Sequence, residues 1–141
     1  MTETQKSLVQ QSFRQVVPIA DAAATLFYNR LFETAPALRP LFKSDLTDQK
    51  QKLVQMLAYC VGKLDAPDEL LPAVRALGQR HVGYGVKSDH YQAVGAALLW
   101  TLEQGLGAAF TSDVKAAWTA VYQILSATMI EASPPGSRTA I

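Results

Sequence analysis

The sequence has little of what side-chain metal sites and secreted proteins need. Cys60 is the one cysteine, which excludes an internal disulfide framework and a cysteine-based zinc site, and fits a reducing compartment. The histidines number two, His81 and His90. Any metal held by this chain must therefore take most of its ligands from something other than protein side chains.

Long apolar runs and an excess of one charge are missing too. No stretch of 18 apolar residues is present, so no segment is expected to span a membrane. The first six residues lack the apolar core of a signal peptide, which favours a cytoplasmic location. Thirteen basic and 12 acidic residues give a net charge of +1, so there is no general attraction to nucleic acid or anionic lipid. We therefore expect neither a nucleic-acid nor a membrane partner.

What the chain does contain is apolar residues at helical spacing. It has 141 residues, of which 49% are hydrophobic, enough to bury the core of one domain, expected over residues 1–132. Strand-like alternation and hairpin dipeptides are missing. We therefore predict an all-α fold of six to seven helices. They are predicted over residues 4–17, 21–32, 34–42 (a turn or short helix), 47–64, 68–81, about 89–105, and from about 112.

The C-terminal residues 133–141 differ from the rest in composition. Their Ser133-Pro134-Pro135-Gly136-Ser137 stretch cannot continue a helix. We expect a disordered tail there.

Three polar residues, Tyr28, Gln49 and His81, stand in apolar surroundings. Tyr28 lies among large apolar residues, and the other two each end an apolar helical stripe. Each has a plain structural interpretation: a core tyrosine with its hydroxyl at the surface, a capping or solvated glutamine, and a hydrogen-bonded core histidine. Cys60 is most simply a small core residue.

Taken together, the three also suit a flat apolar cofactor that carries its own metal. Gln49 and His81 lie on helices separated by a break at residues 65–67, so these helices can face each other across a gap. One wall would offer an imidazole and the other hydrogen-bond donors, as in proteins that hold haem by one axial ligand. The side chains expected to line the gap are Phe42, Leu53, Leu57, Leu70, Val74, Leu77 and Val86.

Six short motifs, all between residues 26 and 122, carry a resemblance that covers about residues 4–132 of the chain. They are Leu26-Phe27-Tyr28-Asn29-Arg30-Leu31-Phe32, Pro36 with Leu41-Phe42, Leu77-Gly78-Gln79-Arg80-His81, Tyr84-Gly85-Val86, His90-Tyr91 with Val94-Gly95, and Ala117-Trp118 with Tyr122. In order and spacing the chain resembles the globin family, in particular bacterial single-domain haemoglobins and the haem domain of flavohaemoglobins. The resemblance implies a globin fold around a haem pocket.

The resemblance also assigns roles to residues. His81 matches the proximal histidine that ligates haem iron, and Phe42 the phenylalanine that stacks on the porphyrin. Tyr28 and Gln49 match the distal pair that hydrogen-bonds a bound ligand. The remaining matches are Leu53 beside the ligand, Leu77 and Val86 under the proximal face, and Lys52 near a haem propionate.

One feature of flavohaemoglobins is incomplete in this sequence. In those proteins a tyrosine ten residues after the proximal histidine joins a late glutamate in a charge relay. Tyr91 stands at this interval from His81. Aligning the motif around Trp118 places Ser133 at the glutamate position, and Glu131 lies two positions early, about 200° around a helix. The sequence therefore does not support the relay.

The implied function is reversible, high-affinity binding of O2 by haem b, at a five-coordinate iron ligated by His81. Donors on Tyr28 and Gln49 would stabilise the charge that bound O2 acquires. At roughly 1–1.5 kcal/mol each, two hydrogen bonds slow O2 release about 30- to 150-fold. NO, CO and, on ferric haem, sulfide are further expected ligands.

Two other functions stay open. One is a nitric oxide dioxygenase that uses a reductase in trans, since 141 residues leave no room for a flavin or nicotinamide domain. The other is a sensor or interaction domain of globin fold without haem, against which His81, Phe42, Tyr28 and Gln49 argue. The expected assembly is a monomer or a weak homo-oligomer.

Overall fold

The structure, a computed structural model, describes residues 1–42, 46–83 and 90–132. Three predictions lie outside these residues: the role of Val86, the alignment of Ser133, and the disordered tail over 133–141. None of the described helices is long and apolar enough to cross a membrane.

The described residues form six α-helices, which confirms the predicted all-α class. They are α1 Glu3–Val16, α2 Ala20–Thr34, α3 Leu46–Gly62, α4 Pro67–Gly83, α5 His90–Leu106 and α6 Ser112–Glu131. Short 3₁₀ segments at Val17–Ile19, Pro36–Leu41 and Gly107–Ala109 complete the described secondary structure.

Local chemistry explains where the helices begin and end. The Thr2 hydroxyl accepts from the backbone of Gln5 while the Gln5 side chain accepts from the backbone of Thr2, a reciprocal cap that starts α1. Thr111 caps α6 in the simpler way, by accepting from the Val114 N–H. At the end of α3 the Leu64 N–H bonds to the Val61 carbonyl, a tighter pattern than the α-helix. The helix therefore ends two residues before the predicted Leu64.

The core forms where α1, α2, α5 and α6 meet. The closest packing is between α2 and α5, α1 and α6, and α4 and α6. Trp118 of α6 and Val9 of α1 are almost completely buried. The indole N–H of Trp118 donates to the Ser12 hydroxyl at 2.8 Å, which links α6 to α1 inside the core.

Helices α3 and α4 follow each other in the chain but pack on different neighbours. Helix α3 packs on α2 and α1, whereas α4 packs on α6. Over their described lengths the two helices are not among the closely packed pairs. The two helices therefore contact each other less than either contacts its main neighbours, and the gap between Gln49 and His81 stays a prediction.

Candidate functional site

Tyr28 is a buried residue of α2 that faces α3. Its side chain is 3% exposed, and its hydroxyl donates to the backbone carbonyl of Gln49. The distance between the two oxygens is 3.4 Å, so this hydrogen bond is long and weak. Tyr28 and Gln49, 21 residues apart in the chain, are therefore in contact, and their role as a distal pair stays a prediction.

Phe42 completes an aromatic cluster around Tyr28. Its ring lies edge-on to the rings of Tyr28, at 5.5 Å, and Phe32, at 5.3 Å. The Arg39 side chain donates to the Phe42 carbonyl at 2.9 Å and lies over the Phe32 ring. These contacts hold Phe42, at the end of a 3₁₀ segment, beside Tyr28.

Burial also decides the protonation state of Tyr28. Loss of hydration raises the pKa of its hydroxyl to about 12, against a smaller opposing effect of a hydrogen bond from the Gln49 side chain. The hydroxyl is therefore protonated at neutral pH and can act as a donor.

His81 lies in the last turn of α4, half-buried. Its Nδ1 is 2.8 Å from the Leu77 carbonyl, an atom that can only accept. The proton of a neutral ring is therefore on Nδ1, and the lone pair is on Nε2.

Three effects act on the charge of His81. Burial lowers its pKa, the hydrogen bond to Leu77 opposes this shift, and the nearby charge of Arg80 adds to it. The ring is neutral at pH 7, which is the form that ligates a metal.

Tyr91, in the first turn of α5, stacks on the imidazole. The two ring centroids are 6.4 Å apart and the planes differ by 24°. The Tyr122 hydroxyl of α6 donates to the Tyr91 carbonyl. Gly95 makes room for the Tyr122 ring, because a Cβ there would lie 2.6 Å from a ring carbon. Helix α6 thereby holds the part of α5 that touches His81.

Sequence reasoning assigned no role to Tyr122 or Gly95, although both belong to the motifs. A glycine one turn after Tyr91 was the available signal, because glycine within a helix commonly marks a close approach of another group.

The structure brings the predicted residues together in two groups. Tyr28, Gln49 and Phe42 form one, and His81 and Tyr91 form the other, with the Leu77 carbonyl at its base. Three other residues are also predicted to contact the cofactor. Lys52 is exposed on α3, Leu77 is half-buried, and Val86 lies outside the described residues.

Leu53 and Leu57, predicted beside the cofactor, line a small, partly open apolar pocket on the core side of α3. Its volume is about 40 Å³, and its walls include Phe27, Leu98 and Trp118. The contact of both leucines with a cofactor stays a prediction.

The described residues fit a cofactor that carries its own metal. A neutral imidazole with its lone pair on Nε2 is the donor that haem iron takes from protein. It lies on α4, whereas Gln49 lies on α3, and over their described residues these two helices are not among the extensively packed pairs. Among the described residues no group of three or more His, Cys, Asp and Glu could hold a metal ion.

Comparison with curated proteins finds flavohemoproteins. The chain is 30% identical to the flavohemoprotein of Chromobacterium violaceum over 92% of its length, and 32% identical to that of Bordetella parapertussis over 89%. It spans about a third of the length of these relatives, 33% and 32%.

Solved structures show the same fold. An engineered carbene transferase, a suggested nitric oxide dioxygenase from Rhodothermus marinus, superposes with a TM-score of 0.83 at 27% identity, covering 92% of this chain and 90% of that one. A hexacoordinated haem protein from an anhydrobiotic tardigrade reaches 0.82 at 18% identity, with 94% of both chains covered. The sequence model of the globin family matches residues 25–129. The chain therefore belongs to the globin family.

Proposed function

We propose that this globin holds haem b through His81 and binds O2 reversibly with high affinity. The observation that carries the proposal is the neutral imidazole of His81, whose Nδ1–H is engaged by the Leu77 carbonyl. When bound, haem would supply an iron with an open coordination position for a diatomic ligand.

The residues around His81 would orient and strengthen it as a ligand. The hydrogen bond from Nδ1 to Leu77 fixes the tautomer, limits ring rotation and raises the basicity of Nε2. The stacked ring of Tyr91 restricts the imidazole from a second direction.

Tyr28 and Gln49 would stabilise a ligand that gains negative charge, such as O2. The present bond of the Tyr28 hydroxyl is 3.4 Å long, so little is lost when the proton turns toward a better acceptor. The Gln49 side-chain amide adds two N–H donors. A ligand that acquires less charge, such as CO, gains less from these donors, so the pocket would favour O2.

Aromatic and apolar side chains would keep water away from that ligand. Phe42 and Phe27 pack edge-on to the Tyr28 ring, at 5.5 and 4.9 Å, and Phe32 lies tilted against it at 5.9 Å. A hydrogen bond made in such surroundings competes with less water and is stronger.

The test is the absorbance spectrum of the purified protein in ferric, ferrous and O2-bound states. We expect a Soret band and a stable O2 complex. The His81→Ala variant should lose the five-coordinate ferrous spectrum, whereas His90→Ala, the matched control at the other histidine, should keep it. A normal five-coordinate haem in His81→Ala would contradict the ligand assignment. The absence of any Soret band would favour the haem-free sensor or interaction domain.

Nitric oxide dioxygenation is the second candidate. It is favoured by the likeness to flavohemoproteins and to the Rhodothermus marinus protein. One NO, one O2 and one electron give one nitrate, so the reaction needs an electron donor, which we propose to be a reductase acting in trans. Many turnovers of NO consumption with an added reductant are expected if this candidate holds. Consumption that stops after one equivalent of NO contradicts it.

A further inference from the structure

Gly78 lies on α4 where this helix crosses α6. We propose that Gly78 is a positioning residue for His81: its missing side chain lets α4 dock on the α6 backbone at Met129, which sets the spacing between the imidazole and Tyr91. The inference rests on the proposed function, because it concerns His81 as the iron ligand.

The contact at Gly78 is between two backbones. Gly78 is buried, and a Cβ built on it would lie 2.5 Å from the Met129 carbonyl oxygen and 2.7 Å from its Cα. A neighbouring side chain can rotate away from an added methyl group, but the backbone of a packed helix cannot. Any residue other than glycine must therefore push α4 and α6 apart.

The position of Gly78 connects this contact to the imidazole. It follows Leu77, whose carbonyl accepts from His81, and it precedes His81 by about one turn. Leu77, Gly78 and His81 lie on one rigid helix. A shift of α4 therefore carries the imidazole and its acceptor together, and their hydrogen bond persists.

Tyr91 does not follow such a shift, because α5 is held on α6 independently of α4. The Tyr122 hydroxyl bonds the Tyr91 carbonyl, and the Tyr122 ring fits against Gly95. Both sides of the His81–Tyr91 stack thus take their position from α6. The docking distance at Gly78 sets how far apart the two rings lie.

A second glycine offers a matched control. Gly62, the last residue of α3, would place an added Cβ in open space, with nothing within 4 Å. Glycine weakens a helix, so alanine at Gly62 is tolerated or slightly stabilising. The difference between the two glycine-to-alanine variants therefore measures the effect of the close approach of Gly78 to Met129.

The test compares Gly78→Ala and Gly62→Ala in the haem-loaded protein. The readouts are the iron–histidine stretching frequency of the ferrous form, by resonance Raman, and the rate of haem loss to an excess of a haem-scavenging apoprotein. We expect Gly78→Ala to shift the band and to speed haem loss roughly tenfold or more. Gly62→Ala should match the wild type in both.

The variant Val9→Ala, which opens a cavity in the core beside α1, distinguishes a positioning role of Gly78 from a purely structural one. This variant should lower the melting temperature but leave the iron–histidine frequency unchanged. If Gly78→Ala behaves in the same way, with lower stability and a wild-type frequency, the positioning role is overturned.

Gly95→Ala keeps the inference testable if Gly78→Ala does not fold. It disturbs the same spacing from the α5 side: the obstructing Tyr122 ring can turn away, but its hydroxyl is bonded to the Tyr91 carbonyl, so the displaced ring moves or releases Tyr91. A shifted band is expected, and an unshifted one contradicts the inference. A band that persists in His81→Ala would instead overturn the proposed function.

Discussion

At the scale of single residues, Tyr28 shows how burial decides what a side chain can do. A tyrosine at the surface hydrogen-bonds water, whereas Tyr28 is 3% exposed and its hydroxyl donates over a long distance to the backbone carbonyl of Gln49. Its raised pKa keeps the proton on the oxygen. The result is a donor that is present at neutral pH and weakly engaged.

Replacing Tyr28 by phenylalanine removes this donor and keeps the ring contacts. We expect O2 to leave the Tyr28→Phe protein about 5- to 13-fold faster, the effect of one hydrogen bond worth about 1–1.5 kcal/mol. Stopped-flow dissociation of O2 and of CO measures this, and CO release should change less.

Tyr59→Phe is the control for that measurement, because Tyr59 lies on α3 with 43% of its side chain exposed. Its O2 release should equal that of the wild type. A change of less than about threefold in Tyr28→Phe would contradict a role of its hydroxyl in holding the ligand.

At the scale of helices, α6 is the element that positions three others, α1, α4 and α5. It contacts α4 through Met129, α5 through Tyr122 and α1 through Trp118. Each contact is a close fit or a hydrogen bond, not only apolar packing. A change in one of them is therefore expected to move a whole helix.

Ser12→Ala tests the α1–α6 contact. The buried indole N–H of Trp118 then loses its acceptor, and an unpaired buried donor costs about 1–3 kcal/mol of unfolding free energy. Chemical denaturation followed by tryptophan fluorescence measures this loss. Ser7→Ala, an exposed position on the same helix, is the control and should stay within about 0.5 kcal/mol of the wild type. Equal stability of the two variants would show that the indole finds another partner.

At the scale of the whole molecule, buried tyrosines set the alkaline limit of stability. Burial raises the pKa of Tyr28 to about 12 and that of Tyr122 above its ordinary value of 10.0. A group whose pKa is higher in the folded state stabilises the fold below its unfolded pKa. This stabilisation is lost as the pH rises toward the folded value.

The free energy of unfolding should therefore begin to fall near pH 10 and decrease toward pH 12. Tyr28 alone contributes about 2–3 kcal/mol to this loss, from a shift of about two pKa units. Denaturant titrations of the haem-free protein between pH 8 and 11.5 measure the slope. Tyr28→Phe should show a shallower decline, and an identical slope in both proteins would refute the assignment to Tyr28.

The helices were predictable because their signals are local. Apolar residues at a spacing of 3.6, with proline, glycine and capping residues between them, place six helices within a few residues of their observed ends. Polar residues in apolar surroundings, such as Tyr28, Gln49 and His81, can be recognised from the sequence for the same reason. The resemblance to globins rests on motifs of this kind, and the family match confirms it.

Tertiary structure alone decided which atoms meet. The sequence places Tyr28 and Gln49 on two helices, but only packing brings the hydroxyl of one to the backbone carbonyl of the other. The contact of Tyr122 with Tyr91, 31 residues away, and that of Gly78 with Met129 arise in the same way. Helical periodicity determines which face of a helix is apolar, whereas the distance between two helices depends on how their surfaces interlock. The distance between α4 and α6 at Gly78 is the one that determines the position of His81.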